Sequence, residues 1–169
     1  MTKTILVTGS TDGIGLETAK MLVSLDQNVL LHGRSPAKLE SLEKTLSAIS
    51  DGVKVESYVA DLSSMADVEV LAKALAEKHA KLDVLINNAG VFNTPHPITQ
   101  DGLYVRFAVN TIAPYLLTKH LLPLFESSGR VINLSSAAQA PVDLEALVGR
   151  TKLSDNAAYA QSKLAINMW

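Results

Sequence analysis

Tyr159 and Lys163 stand four residues apart in Tyr159-Ala-Gln-Ser-Lys163, near the end of the chain, and a phenol beside an ammonium is a pair that can move a proton. A phenol ionises near pH ~10 in water, but an adjacent positive charge stabilises the phenolate and draws that value toward working pH. Residues i and i+4 share one face of a helix, so a helix here places the two side chains together. The same spacing on an exposed helix is an ordinary surface contact. What stands upstream decides which it is.

Three upstream features bear on that choice. Thr8-Gly9-Ser10-Thr11-Asp12-Gly13-Ile14-Gly15 lies between a β-branched run and a helical pattern. Glycines there allow a tight turn and let backbone approach a pyrophosphate, whose charge the free N–H groups and positive end of the following helix stabilise. About twenty residues on, the second apolar run ends in Gly33-Arg34-Ser35. An acidic residue at that place accepts from an adenosine ribose, whereas a basic one pairs with a 2′-phosphate, so Gly33 and Arg34 favour NADP over NAD. Asn87-Asn88-Ala89-Gly90 follows the fourth apolar run, where amides can fix backbone and small residues admit a ligand. Two residues stay open: Asp61 either caps a helix or faces an adenine amino group, and Asn110, an amide in an apolar stretch, is either locally satisfied or placed for a reason.

The elements that must hold these residues alternate. Strands are expected at Thr4–Thr8, Asn28–His32, Lys54–Val59, Val84–Asn87 and Arg130–Leu134, short runs without polar alternation, as in a parallel sheet buried on both faces. Helices are expected from Leu16 to Leu25 with Ala19, Leu22 and Val23 on one face, and from Ser35-Pro36 through the stripe Leu39, Leu42, Leu46 and Ile49. A third runs from about Ala66 to His79 with Val70, Ala74 and Leu75 inward, and a long one from about Asp101 to Leu122. A short helix over Leu144 to Val148 precedes the one that carries Tyr159. This is one layered α/β unit, without repeats or linkers.

At 169 residues, 47% hydrophobic, the chain has the length and apolar content of a single globular domain. Fifteen Lys and Arg against 17 Asp and Glu give a charge of −2 with no basic block, which excludes a nucleic-acid footprint. There is no cysteine, and His32, His79, His96 and His120 are scattered without metal-ligand spacing, so they read as surface or packing residues and no metal is expected. Neither a signal-peptide core nor an apolar run of ~18 residues is seen near the N-terminus, and the expectation is a soluble, cytoplasmic protein without a membrane anchor.

Together, Thr8-Gly-x-x-x-Gly-x-Gly15, Asn87-Asn-Ala-Gly90, Asn110, Ser136 and Tyr159-x-x-x-Lys163 resemble the short-chain dehydrogenase/reductase family across essentially the whole chain. The resemblance implies a Rossmann-like doubly wound parallel sheet of order 3-2-1-4-5 and a hydride exchange between a nicotinamide and a small-molecule alcohol or carbonyl. By similarity, Gly9, Ser10, Gly13, Ile14 and Gly15 would bind pyrophosphate, Arg34 the 2′-phosphate, and Asp61 and Leu62 the adenine. Asn88, Ala89 and Gly90 would line the nucleotide cleft. Ser136 would donate to the substrate oxygen, Tyr159 exchange its proton, Lys163 lower the tyrosine pKa and bind ribose hydroxyls, and Asn110 position a water leading to solvent. Ser135 is the alternative to Ser136. Pairing through the two long helices is the oligomer the family implies.

Two departures qualify this. Ser136 and Tyr159 are separated by a longer segment than in many members, with Gln139 to Asn156 reading as an inserted loop; with Gly33-Arg34, this is similar to the retinol-dehydrogenase-like, NADP-preferring branch. The chain ends six residues after Lys163, short of the family's usual last strands and helices, so a truncated domain spanning 1–169 is expected, with the fifth strand as an exposed edge. Two functions follow: an NADP-dependent reductase or dehydrogenase, or a catalytically silent nucleotide-binding or interaction module.

Overall fold

The computed structural model describes residues 2–50 and 52–169. Five strands, β1 (Thr4–Val7), β2 (Asn28–Gly33), β3 (Val55–Val59), β4 (Val84–Asn87) and β5 (Arg130–Asn133), form one parallel sheet in the order β3-β2-β1-β4-β5. Register is set by Ile5 opposite both Val29 and Val84, with Val84 opposite Arg130. Successive side chains of a strand point to opposite faces, and here each face meets its own helical layer. Leu6, Leu30 and Leu85 pack with Val68, Leu71, Leu75 and Leu117 on one side, while Ile5, Val7, Val29, Leu31 and Ile86 pack with Ala19, Val23, Leu39 and Leu46 on the other. That double burial is why the strands carry unbroken apolar runs.

Helices α1 (Gly13–Ser24) and α2 (Pro36–Ser47) cover the second face, and α3 (Met65–Lys78) the first. Ser35 accepts from the Lys38 N–H and Pro36 fills the first turn, as the sequence predicts. Three expectations are corrected. The inward face of α3 is Val68, Leu71, Ala72 and Leu75, with Ala74 only half-buried and Val70 outward, 69% exposed. Ile49 lies beyond the end of α2 and is half exposed. The long helix begins at Val105 rather than Asp101, because the Asp101 carboxylate accepts from the Met65 N–H at 2.9 Å and Ile98 bridges antiparallel to Tyr104.

That helix also changes pitch. α4 (Val105–Phe107) leads into a π turn, Ala108–Ile112, and only then into α5 (Ala113–Leu121), which ends in a 3₁₀ turn at Leu122–Leu124. The Ala113 N–H donates to the Ala108 carbonyl, five residues back. Pro114 has no N–H to offer the Asn110 carbonyl, so regular α pairing is broken at Asn110. After β5, whose Arg130, Val131 and Ile132 are exposed, a loop with the short α6 (Leu144–Leu147) leads to α7 (Asp155–Ala165), capped by Ser154.

Candidate functional site

Strand order reverses between β1 and β4, and at their carboxyl ends lies a cleft of about 880 Å³. Gly9 has φ +65, a conformation open to glycine at little cost, and turns the chain into α1. A side chain on Gly15 would collide with the Gly9 carbonyl and the Asn88 amide, so the loop closes on itself only because both residues are bare. Asp12 caps α1 through the Gly13 N–H, and the Leu16 N–H reaches the Asp12 carbonyl. The Ile14 and Gly15 N–H groups find no acceptor among the described residues and form the anion-seeking end of the helix.

The other predicted residues of this half divide. Gly9, Gly13, Asp61, Leu62, Asn88, Ala89 and Gly90 border the cleft, and Arg34 stands on its rim, exposed and without an ion-pair partner among the described residues. Ser10 instead is fully buried: its N–H and hydroxyl both donate to the His32 carbonyl and the hydroxyl accepts from the His32 N–H, which occupies it within the sheet. Asp61 does not cap α3. Ser64 does so by accepting from the Asp67 N–H, and the Asp61 carboxylate closes a turn on the Ser63 N–H at 2.9 Å.

Two supporting residues were not legible as such. His32 is buried, takes the Gly9 N–H on Nδ1 at 3.1 Å, and meets the Ala60 carbonyl through Nε2 at 3.2 Å. Burial pushes its pKa from 6.5 down to about 4, with the Ala60 contact opposing; the ring is neutral, with Nε2 carrying the proton. The only signal was a lone titratable side chain at the end of an apolar strand. Thr8 accepts the N–H groups of Asn88 and Ala89, both at 3.0 Å, and the Asn88 side-chain amide donates to the carbonyls of Thr8 and Gly9. The amide and the glycine loop therefore brace each other across the sheet.

At the α7 end of the site, Asn110 is completely buried. Its amide donates to the Val91 carbonyl and to the Ser162 hydroxyl, and its oxygen accepts from the Val91 N–H at 2.8 Å. Ser162 in turn donates to the Tyr159 carbonyl at 2.7 Å, and Thr111 donates to the Ser162 carbonyl at 2.8 Å, which ties the π turn to α7. Lys163 donates from Nζ to the Leu134 carbonyl at 2.7 Å, and burial pushes its ammonium below the usual lysine range. Its Nζ lies 6.0 Å from the centre of the Tyr159 ring, and an atom added at Gly90 would sit 3.4 Å from Asn110 Oδ1 and 3.5 Å from Lys163 Nζ. The two serines part company. Ser135 donates to the Lys163 carbonyl at 2.6 Å and accepts from Asn167, a bracing role, while among the described residues Ser136 accepts only from the Ala138 N–H at 3.2 Å and keeps a hydroxyl proton to give.

Residues 3–169 match the short chain dehydrogenase family, and the chain belongs to it. It is similar to retinol dehydrogenase 13 of Homo sapiens, 38% identical over 169 residues that take in 97% of this chain and 51% of that protein. Polyprenol dehydrogenase of Homo sapiens is 37% identical, over 95% of this chain and 51% of that one. A metagenomic short-chain oxidoreductase crystallised with NADP superposes at a TM-score of 0.74 with 34% identity, over 98% of this chain and 70% of that chain. The chain spans about half the length of the curated relatives it matches. No helix of the described residues is long and apolar enough to cross a membrane.

Proposed function

We propose that the protein is an NADP-dependent oxidoreductase that interconverts an alcohol and a carbonyl, with Tyr159 as acid and base. The observation that carries the reading is the meeting of Asn110, Lys163 and Gly90 at the β4 end of a glycine-walled cleft, one helical turn from Tyr159. A dinucleotide fits the cleft's chemistry: unpaired N–H groups at the start of α1, a wall that added side chains would fill, and a free guanidinium at the far rim. Gly9, Gly13, Ile14 and Gly15 would hold its pyrophosphate, Arg34 its 2′-phosphate, and Asp61 and Leu62 its adenine. Asn88, Ala89 and Gly90 would line its passage toward Lys163. Bound there, the nicotinamide supplies or receives the hydride.

Ser136 donates to the substrate oxygen and holds it beside Tyr159, which gives up its phenolic proton in reduction and takes one in oxidation. Lys163 stabilises the phenolate that results. The Asn110 carbonyl, which lacks an N–H at Pro114, holds a water through which Lys163 exchanges protons with solvent. The domain as a whole acts as one nucleotide-binding unit on a small molecule, in the cytoplasm.

NADPH oxidation by the purified protein against a carbonyl panel that includes retinal is the test. Tyr159→Phe should abolish turnover while NADPH still binds, and Arg34→Ala should weaken NADPH binding far more than NADH binding. NADPH binding without turnover of any carbonyl would instead support the silent nucleotide-binding module, and equal losses for both nucleotides would refute the preference for NADP.

A further inference from the structure

Arg106 is completely buried, a guanidinium within the helical turn that precedes Asn110. Its Nε donates to the Phe92 carbonyl at 2.7 Å, and one terminal nitrogen lies 2.8 Å from an Asp155 carboxylate oxygen. Phe92 sits on the loop that leaves β4, and its ring meets that of Tyr159 edge to face with centres 4.9 Å apart. Asp155 is the first residue of α7, one turn before Tyr159 on the same face. One side chain thus joins the two pieces of backbone whose relative placement aims the phenol.

We propose that Arg106 is a positioning residue for Tyr159, locking the loop after β4 and the first turn of α7 together so that Phe92 holds the phenol ring in a single orientation. The inference rests on Tyr159 being the acid and base. Energetics favour a geometric role over a stabilising one. Burying a guanidinium is costly unless all of its donors are met. The Asp155 contact is close but lies off the N–H direction, and neither terminal nitrogen has a hydrogen-bond partner among the described residues. An apolar side chain of similar volume commonly serves a core as well or better. The second half of α7 is anchored independently by Ser162, Lys163 and Ser135, whereas the polar ties at its start are Arg106 and the Leu153 N–H, which donates to the Tyr104 hydroxyl at 2.7 Å, beside the apolar packing of buried Ala158. Release of Arg106 therefore uncouples the first turn of α7 from the Phe92 loop and leaves Lys163 in place.

The test uses Arg106→Met, Asp155→Asn and the double variant in the intact protein, with NADPH affinity, kcat and KM for a carbonyl, and the ring signals of Tyr159 in tyrosine-labelled protein, assigned by their loss in Tyr159→Phe. NADPH affinity should stay within about threefold, because none of the changed residues borders the nucleotide end, while kcat per bound NADPH falls by about tenfold or more with little change in KM. The double variant should lose no more than Arg106→Met alone, since both act through one contact. The Tyr159 ring signals should move as the ring loses its neighbour. A merely structural role would lower the folded fraction and leave the ring signals of the folded remainder where they were. Unchanged ring signals, kcat within about twofold of the parent, or losses that add independently would overturn the proposal. A parent protein without turnover would count against the oxidoreductase reading alone, and the ring signals would then decide for Arg106. Should Arg106→Met fail to fold, Asp155→Asn breaks the same contact at a half-exposed carboxylate and decides in its place.

Discussion

His32 makes stability depend on pH between 6.5 and about 4, a range that begins well above the usual carboxylate values. Its folded pKa is about 4 against 6.5 when free, because burial disfavours the charged ring, and the neutral ring accepts the Gly9 N–H on Nδ1. Above pH 6.5 both states are neutral and the full contribution is present. As pH falls below 6.5 the unfolded chain takes up a proton that the native state refuses, so stability drops until pH 4, where the native ring titrates as well. Integrating the difference in bound protons gives a loss of about 2 kcal/mol between pH 7 and 5 and about 3 kcal/mol by pH 4. His32→Asn keeps an acceptor near the Nδ1 position and cannot titrate. Urea unfolding of both proteins at pH 7, 6 and 5 isolates the effect: Asp83 and Glu56, whose pKa values lie below normal, lose their contributions equally in both as pH falls. The parent should converge on the variant by about 2 kcal/mol at pH 5. Parallel curves, within about 0.5 kcal/mol, would show that the ring is hydrated or titrates normally, and the account of its neutrality would fail.

Ser135→Ala should lower stability by about 1 kcal/mol in urea unfolding through the lost bond to the Lys163 carbonyl, whereas Ser136→Ala should leave stability alone and remove most of kcat. Gly15→Ala should weaken NADPH binding by more than about tenfold in titration, since the added carbon must push apart the Gly9 carbonyl and Asn88. On α3, Val70→Lys should change the unfolding free energy by less than about 0.5 kcal/mol, while Leu71→Ala should cost about 2–5 kcal/mol.

Those last two variants also mark where the sequence ceased to be legible. The alternation of strands and helices and the cap of α2 followed from local patterns, while the strand order and the role of the glycine loop came with the family resemblance. α3 was different: Met65, Ala66, Val68, Val70, Leu71, Ala72, Ala74, Leu75 and Ala76 surround it with apolar residues, and only the sheet decides which stripe turns inward. Asp101 reads as the start of its own helix because the cap signal is local, yet its carboxylate serves the start of α3, 36 residues away in sequence. At the site, motif residues were legible as types and spacings, but the division of labour between Ser135 and Ser136, and the commitment of Ser10 to β2, depend on partners distant in sequence. Arg106 carried no signal beyond being a charge in an apolar helix, since its burial follows from packing between α4 and α7.

The π turn at Ala108–Ile112 lets one rod serve two separate masters. Val105, Val109, Ala113, Leu117 and Leu121, always four apart, fill the core under α3, while Tyr104 and Phe107 join Ala158 and Ala165 beneath α7. An unbroken α-helix with one residue fewer in this stretch would turn its lower half by roughly 100° relative to its upper half. It could then match the sheet or α7, not both. The extra residue therefore works as a phase correction between scaffold and α7, and a one-residue deletion there should be worse tolerated than any single substitution within it.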